Sequence, residues 1–96
     1  MTNPNQAPVL VSLVTYNDEL FLARCLESVR RQTLPVRLKV FDNASEDRTR
    51  EIVRQFEADL YESSDNKGYS HGHNQNLLDE DFQTALLLNA DVILEP

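Results

Sequence analysis

The sequence predicts an α/β fold: a doubly wound, Rossmann-like parallel sheet with strand order near 3-2-1-4. Three observations lead there. Strand-like apolar runs alternate with segments of helical periodicity as β-α-β-α-β-(loop)-α-β, the pattern of a parallel sheet with helices on both faces. The first run, VLVSLVT, is nearly continuous apolar sequence, as a strand covered on both sides requires. Right-handed crossovers then leave few arrangements, with the first strand inside the sheet.

Each element follows from its residues. The strand at 9–15 is followed by DELFLARCLESVRRQ, where Leu22, Leu26 and Val29 share a helical face with Cys25. Acids open that segment, Arg30 and Arg31 close it in keeping with the helix dipole, and Asn17 is its expected N-cap. In VRLKVFD, Val36, Leu38 and Val40 alternate with Arg37 and Lys39 up to Asp42. Ser45 is placed to cap the next helix, EDRTREIVRQF, which turns Ile52, Val53 and Phe56 inward. ADLYES reads as a short edge strand. SDNKGYSHGHN holds both glycines of the chain and reads as a loop leading into a short helix near residues 72–78. TALLLN reads as a buried strand, and VILEP as the start of another.

Composition narrows the function classes. At 96 residues the chain is one domain, and a domain of this size buries roughly 60–65% of its unfolded surface. A net charge of −7, with the acids dispersed, argues against a nucleic-acid partner. One cysteine, Cys25, excludes an internal disulfide and fits a reducing, cytoplasmic setting. The opening MTNPNQAP has neither a basic nor an apolar stretch of the kind a signal peptide needs. No apolar run approaches the ~18 residues of a membrane span.

Chemistry concentrates at the strand ends. In a doubly wound sheet, ligands bind beyond the carboxyl ends of the strands, where strand order reverses. The first strand ends in Thr15-Tyr16-Asn17, the second in Asp42-Asn43-Ala44-Ser45, and the fourth in Asn89-Ala90-Asp91. Asp65-Asn66-Lys67-Gly68 follows the third. A carboxylate at the end of an apolar strand is costly to bury, so Asp91 belongs at this mouth. Neither GxGxxG after the first strand nor GxxxxGK[ST] is present, which excludes the usual dinucleotide and P-loop sites.

The segments VSLVTYN, CLESVRRQ, VFDNASEDRT, NKGYSHGHN and LLLNADV, in this order and spacing, resemble the nucleotide-sugar half of family 2 glycosyltransferases with the GT-A fold. Rhamnosyltransferase-like bacterial members are the nearest in pattern. Any one of these motifs is weak; five in register are specific. The resemblance spans about residues 9–95 and implies a GT-A type sheet, truncated, with residues 1–8 as a tail and 9–96 as the donor-binding half.

It also implies roles for individual residues. Thr15 and Asn17 would line a base pocket, and Asp42 would accept a hydrogen bond from the uracil or thymine N3–H or from the ribose. Asn66 and Gly68 would close over the base, with Gly68 allowing close backbone approach. Gly72 and Asn74 complete the N-x-G-x-x-x-G-x-N pattern. Asn89-Ala90-Asp91 stands where the family has D-x-D: Asp91 would hold Mg²⁺ or Mn²⁺, and Asn89, replacing the first acid, would contact a ribose or sugar hydroxyl. Plainer roles stand beside these. Asp42 is also a natural turn cap, Ser45 and Asp47 are helix-start residues, and Cys25 is a core thiol. His71 and His73 have the spacing of a metal pair but lack a third ligand, and Tyr16 and Tyr69 could stack on a base or pack.

The function expected is inverting, metal-assisted transfer of a sugar from a UDP- or dTDP-sugar to a saccharide or lipid-linked acceptor. This chain would carry the donor side, and the general base would lie beyond residue 96. The isolated chain is then expected to be inactive, cytoplasmic or peripheral at the inner face of the bacterial membrane, and able to form a homo-oligomer through its truncated face. The alternative is a non-catalytic nucleotide-binding or self-associating module.

Overall fold

Strand and helix alternate in space as they do in sequence. The computed structural model describes residues 9–95; the tail expected at 1–8 and the last residue, Pro96, lie outside the described residues. The elements are β1 (Val9–Thr15), α1 (Leu22–Arg30), β2 (Val36–Asp42), α2 (Thr49–Arg54), β3 (Asp59–Glu62), α3 (Tyr69–Leu77) and β4 (Thr84–Asn89). The sheet runs β3-β2-β1-β4 with every pair parallel, the order expected from the crossover rule. Its register sets Thr15 beside Asp42, and Val14 beside both Phe41 and Asn89. The strands therefore end level, and the polar residues that follow them share one edge.

Period-two alternation divides the sheet into two faces. Val11, Leu13, Leu38, Val40 and Leu88 point to one, where they pack with Leu22, Cys25, Leu26 and Val29 of α1 and Val53 of α2. Each such side chain contributes roughly 1.5–3 kcal/mol when fully buried. Ser12, Val14 and Phe41 point to the other face, which α3 covers. Gly72 makes that contact close: a Cβ there would lie 2.6 Å from Val14 Cγ2 and 3.0 Å from Phe41 Cδ1.

Several local expectations are corrected. Asn17 does not cap α1; its φ of 52° is left-handed, whereas an N-cap takes an extended backbone. The Asp18 carbonyl instead accepts from Phe21 N and Leu22 N, both at 3.0 Å, so the helix starts at Leu22 and its first turn holds no acid. Ser45 does not cap α2, because its hydroxyl is donated to Asp42; the Thr49 N–H is taken by Asp47 Oδ1 at 2.9 Å. The third helix starts three residues earlier than expected, directly after Gly68, whose φ of 89° suits glycine. β4 is largely exposed and of its residues Leu88 alone is buried, since an edge position covers only part of it. The segment after it forms no strand. It runs beside α1, with Leu94 N donating to Ser28 Oγ (3.0 Å) and Gln32 Nε2 to the Glu95 carbonyl (2.9 Å). No described helix is long and apolar enough to cross a membrane.

Candidate functional site

The two loops that follow β1 and β2 are bound to one another through side chains. Thr15 Oγ1 donates to Asp18 Oδ2 (2.8 Å), which also accepts from Tyr16 N (3.1 Å). Asn17 N donates to Ser45 Oγ (2.9 Å), and Asn17 Oδ1 accepts from Glu46 N (2.8 Å). Asp18 N donates to Thr49 Oγ1 (2.9 Å). Small polar residues suit this work because a side-chain oxygen on a short stem can replace a backbone partner.

Asp42 is the hub beneath these loops. Its side chain is 0% exposed, and Arg50 Nε donates to Oδ2 at 2.6 Å. Ser45 adds its hydroxyl to Oδ1 (2.5 Å) and its N–H to Oδ2 (3.1 Å). A carboxylate this deep is stable because it is paired and hydrogen-bonded. A nucleobase N–H meeting Asp42 would have to replace one of these donors. Arg50 also reaches the Ser63 carbonyl and Glu62, joining β2 to the chain after β3. Its guanidinium is held above the usual range, chiefly by the hydrogen bond to Asp42.

Asn43 holds the loop after β3. Lys67 N donates to its Oδ1 (2.9 Å), and its Nδ2 donates to the Gly68 carbonyl (3.2 Å). Asn66 folds its Oδ1 back onto Gly68 N (2.9 Å), an Asx turn leading into α3. Thr15, Asn17, Asp42, Asn66 and Gly68 are thus gathered into one set of interlocked loops, with Thr15 buried and Asn17, Asn66 and Gly68 exposed. Asn74 stands apart, exposed on α3.

Between the ends of β1 and β4 lies a cavity of about 360 Å³, lined by Val14, Asp18, Phe21, Tyr69, Asn89, Ala90 and Asp91. Asn89 and Asp91 are both exposed, so the carboxylate two residues past the end of β4 stands at a mouth. Cys25 lies beneath, its Sγ 3.6 Å from the Asn89 carbonyl. Burial, then the charges of Asp91 and Asp18, push its thiol up to about 11, so it remains an inert core group.

The two histidines diverge. His71 is exposed against the Phe41 ring at 5.7 Å, while His73 is 4% exposed with Nδ1 2.7 Å from Ser12 Oγ. Asn76 completes that buried cluster, its Nδ2 donating to Ser12 Oγ (2.9 Å) and the Leu13 carbonyl (3.2 Å). Among the described residues no three or more His, Cys, Asp or Glu side chains gather around a common metal position. Asp18, Asn43, Arg50 and Asn76 escaped sequence reasoning. Asp18 and Asn43 at least directly follow the singled-out Asn17 and Asp42; nothing local marks Arg50, whose partner is eight residues away.

Residues 11–96 match Glycosyl transferase family 2. The chain belongs to that family. No curated protein sequence is significantly similar to it. Among solved structures, this family 2 chain resembles Staphylococcus aureus TarS 1-349, with 24% identity and a TM-score of 0.81 over 88% of this chain and 28% of that one. A structure of TarS 1-349 in complex with UDP gives 24% identity and 0.79 over 86% and 27%. The mannosyltransferase PcManGT from Pyrobaculum calidifontis, in complex with GDP-Man and Mn²⁺, gives 23% identity and 0.85 over 100% and 31%. These likenesses establish the GT-A glycosyltransferase fold. The chain spans less than a third of the length of each of them.

Proposed function

We propose that this family 2 chain binds a nucleoside diphosphate sugar, a UDP- or dTDP-sugar, at the strand mouth. It would serve as the donor-binding part of an inverting glycosyltransferase. The observation that carries this reading is the cavity at the carboxyl ends of β1 and β4, where Asn89 and Asp91 stand exposed on one wall. The complexes of PcManGT with GDP-Man and Mn²⁺, and of TarS with UDP, support it by fold analogy.

Asn17, Asn66 and Gly68 form the base side with Thr15 buried at the end of β1; Asp42 holds Asn17 through Ser45, and Asn43 holds Gly68. Asn74 belongs to the same pattern on α3. Asn89 offers its amide to a ribose or sugar hydroxyl. Asp91 is the ligand for Mg²⁺ or Mn²⁺. One exposed carboxylate, an amide neighbour and room for waters suit an ion that is completed by diphosphate oxygens, the usual way magnesium is held. Such an ion supplies charge that stabilises the departing diphosphate. In the reaction, an acceptor hydroxyl oxygen bonds to the anomeric carbon from the side opposite the breaking bond to the diphosphate oxygen. Its proton passes to a carboxylate base of the acceptor half. The acceptor is a saccharide or a lipid-linked saccharide, and the setting is the cytoplasm or the inner face of the bacterial membrane.

Calorimetry tests this. Uridine and the diphosphates of uridine, thymidine and guanosine are titrated with and without Mn²⁺ into the natural chain and Asp91→Asn. Metal alone and nucleotide alone should bind weakly, and together they should bind cooperatively, each raising the other's affinity equally. Asp91→Asn should remove the coupling and leave plain uridine binding nearly unchanged. Manganese dependence that survives in Asp91→Asn would sink the metal role, and absence of any nucleotide binding would sink the whole reading.

A further inference from the structure

One buried polar atom lies outside the loop network. His73 on α3 is buried, and its Nε2 is sealed from solvent with no hydrogen-bond partner among the described residues. Leaving such an atom unpaired is costly, so some group must meet it. The other ring nitrogen settles where the proton sits. Ser12 Oγ is fully buried and has two partners, Asn76 Nδ2 at 2.9 Å and His73 Nδ1 at 2.7 Å. The Leu13 and Lys39 carbonyls, both 3.2 Å from Asn76 Nδ2, fix that atom as the amide nitrogen, which only donates. Ser12 therefore accepts from Asn76 and gives its own proton to His73 Nδ1. Nε2 then carries the imidazole proton. The reverse tautomer would strand two groups, the Ser12 hydroxyl proton and the Nε2 lone pair. Burial holds the His73 pKa below its usual value, in keeping with a neutral ring.

The group against His73 is Tyr69, four residues earlier on the same face of α3, its ring centroid 4.3 Å away and its plane inclined at 75°. Helical side chains lean toward the N-terminus, over residue i−4, which directs the imidazole at that ring. We propose that His73 is a positioning residue: its Nε2–H donates to the π face of Tyr69 and fixes that ring as a wall of the cavity between β1 and β4. Tyr69 lines this cavity together with Val14, Asn89 and Asp91. An N–H···π bond is weak by itself. Here the donor is clamped from behind, because Ser12 and Asn76 tie the imidazole to the backbone of β1 and β2. The cavity wall is thereby referred to the two central strands of the sheet. The bond stands on geometry alone; its service to a nucleotide ligand rests on the donor-binding reading.

NMR of the isotope-labelled full chain tests the bond. Long-range proton–nitrogen spectra should show His73 as the Nε2–H tautomer, with that proton moved upfield by the ring current over an aromatic face. Tyr69→Phe should keep the upfield position and Tyr69→Leu should abolish it, the tautomer being the same in both. Calorimetry with uridine diphosphate and Mn²⁺ reads the consequence. His73→Leu and Tyr69→Leu should each weaken binding roughly two- to tenfold, and the double variant no more than Tyr69→Leu alone, because touching residues couple. In a Tyr69→Phe background, His73→Leu should weaken binding as it does in the natural chain. A His73 that merely filled space would give additive losses. The spectra need no change at His73, so they decide even where His73→Leu does not fold. An Nδ1–H tautomer, an Nε2–H position indifferent to Tyr69→Leu, or additive losses of affinity would overturn the proposal. If the natural chain binds no nucleotide, the donor-binding reading fails, and the tautomer and ring current alone decide whether His73 holds Tyr69.

Discussion

Asp42 illustrates how much one residue can hold at a place where no substrate need touch it. Its oxygens serve Ser45 and Arg50, Ser45 serves Asn17, and Asn17 serves Glu46, so a chain of hydrogen bonds links the loops after β1 and β2. Asp42→Ala leaves buried donors without an acceptor and should cost roughly 1.5–3 kcal/mol of stability, the range for a charged hydrogen bond. Urea unfolding measures it, and adding Arg50→Ala should recover part of the loss, a coupling that a double-mutant cycle isolates. An unchanged unfolding midpoint would show that the network is idle. Asp91 is the opposite case: exposed and at a cavity wall, it can be changed to asparagine within about 0.5 kcal/mol of the natural stability. Its effect should appear in ligand coupling alone. Of these residues, Asp42 and Asp91 were legible as strand-end carboxylates, but the bonds of Asp42 to Ser45 and Arg50 were not. Arg50 was not, because an ion pair across eight residues and two elements has no local signature.

At the scale of elements, α3 ties the mouth to the sheet. Gly72 lets the helix approach Val14 more closely than any side chain permits. Gly72→Ala gains up to about 1 kcal/mol of helix propensity. It overpacks the contact by about 1–3 kcal/mol, so a net loss is expected. Thermal melting should show it, and Val14→Ala in the same chain should relieve it; a stabilised Gly72→Ala would mean that α3 can lift freely. The same helix buries His73, whose pKa burial drives below 6.5. The unfolded chain then binds the proton more readily than the folded one. The stability owed to neutral His73 is therefore complete above pH ~6.5 and is lost as pH falls below it. His73→Asn should flatten stability between about pH 7 and 5. Glu80 acts lower on the scale. The hydrogen bond from Lys39, aided by Lys39 and Arg37 charge, depresses its pKa, so its contribution is present above pH 4.5 and falls away as pH drops further. A slope between pH 7 and 5 that survives in His73→Asn would assign it to another group.

For the whole molecule, the sheet should exchange from its edges inward. β1 is flanked on both sides and covered on both faces, so its amides should be the last to exchange, with β3 and β4 well ahead. Uniform protection across the four strands would contradict that order. The sequence by itself determined the parallel sheet, the position of β1 within it and the gathering of Thr15, Asp42, Asn66 and Asp91 at one end. Those follow from periodicities and crossover handedness, which are local or nearly so. It could not determine that Asn17 and Ser45 face each other instead of capping helices, or that most of β4 is exposed among the described residues. Helix starts turned on competition for the same hydroxyls and carboxylates between nearby N–H groups and groups far along the chain. The exposure of β4 turned on what packs against an edge. Both depend on contacts between residues distant in sequence, and only the tertiary structure decides those.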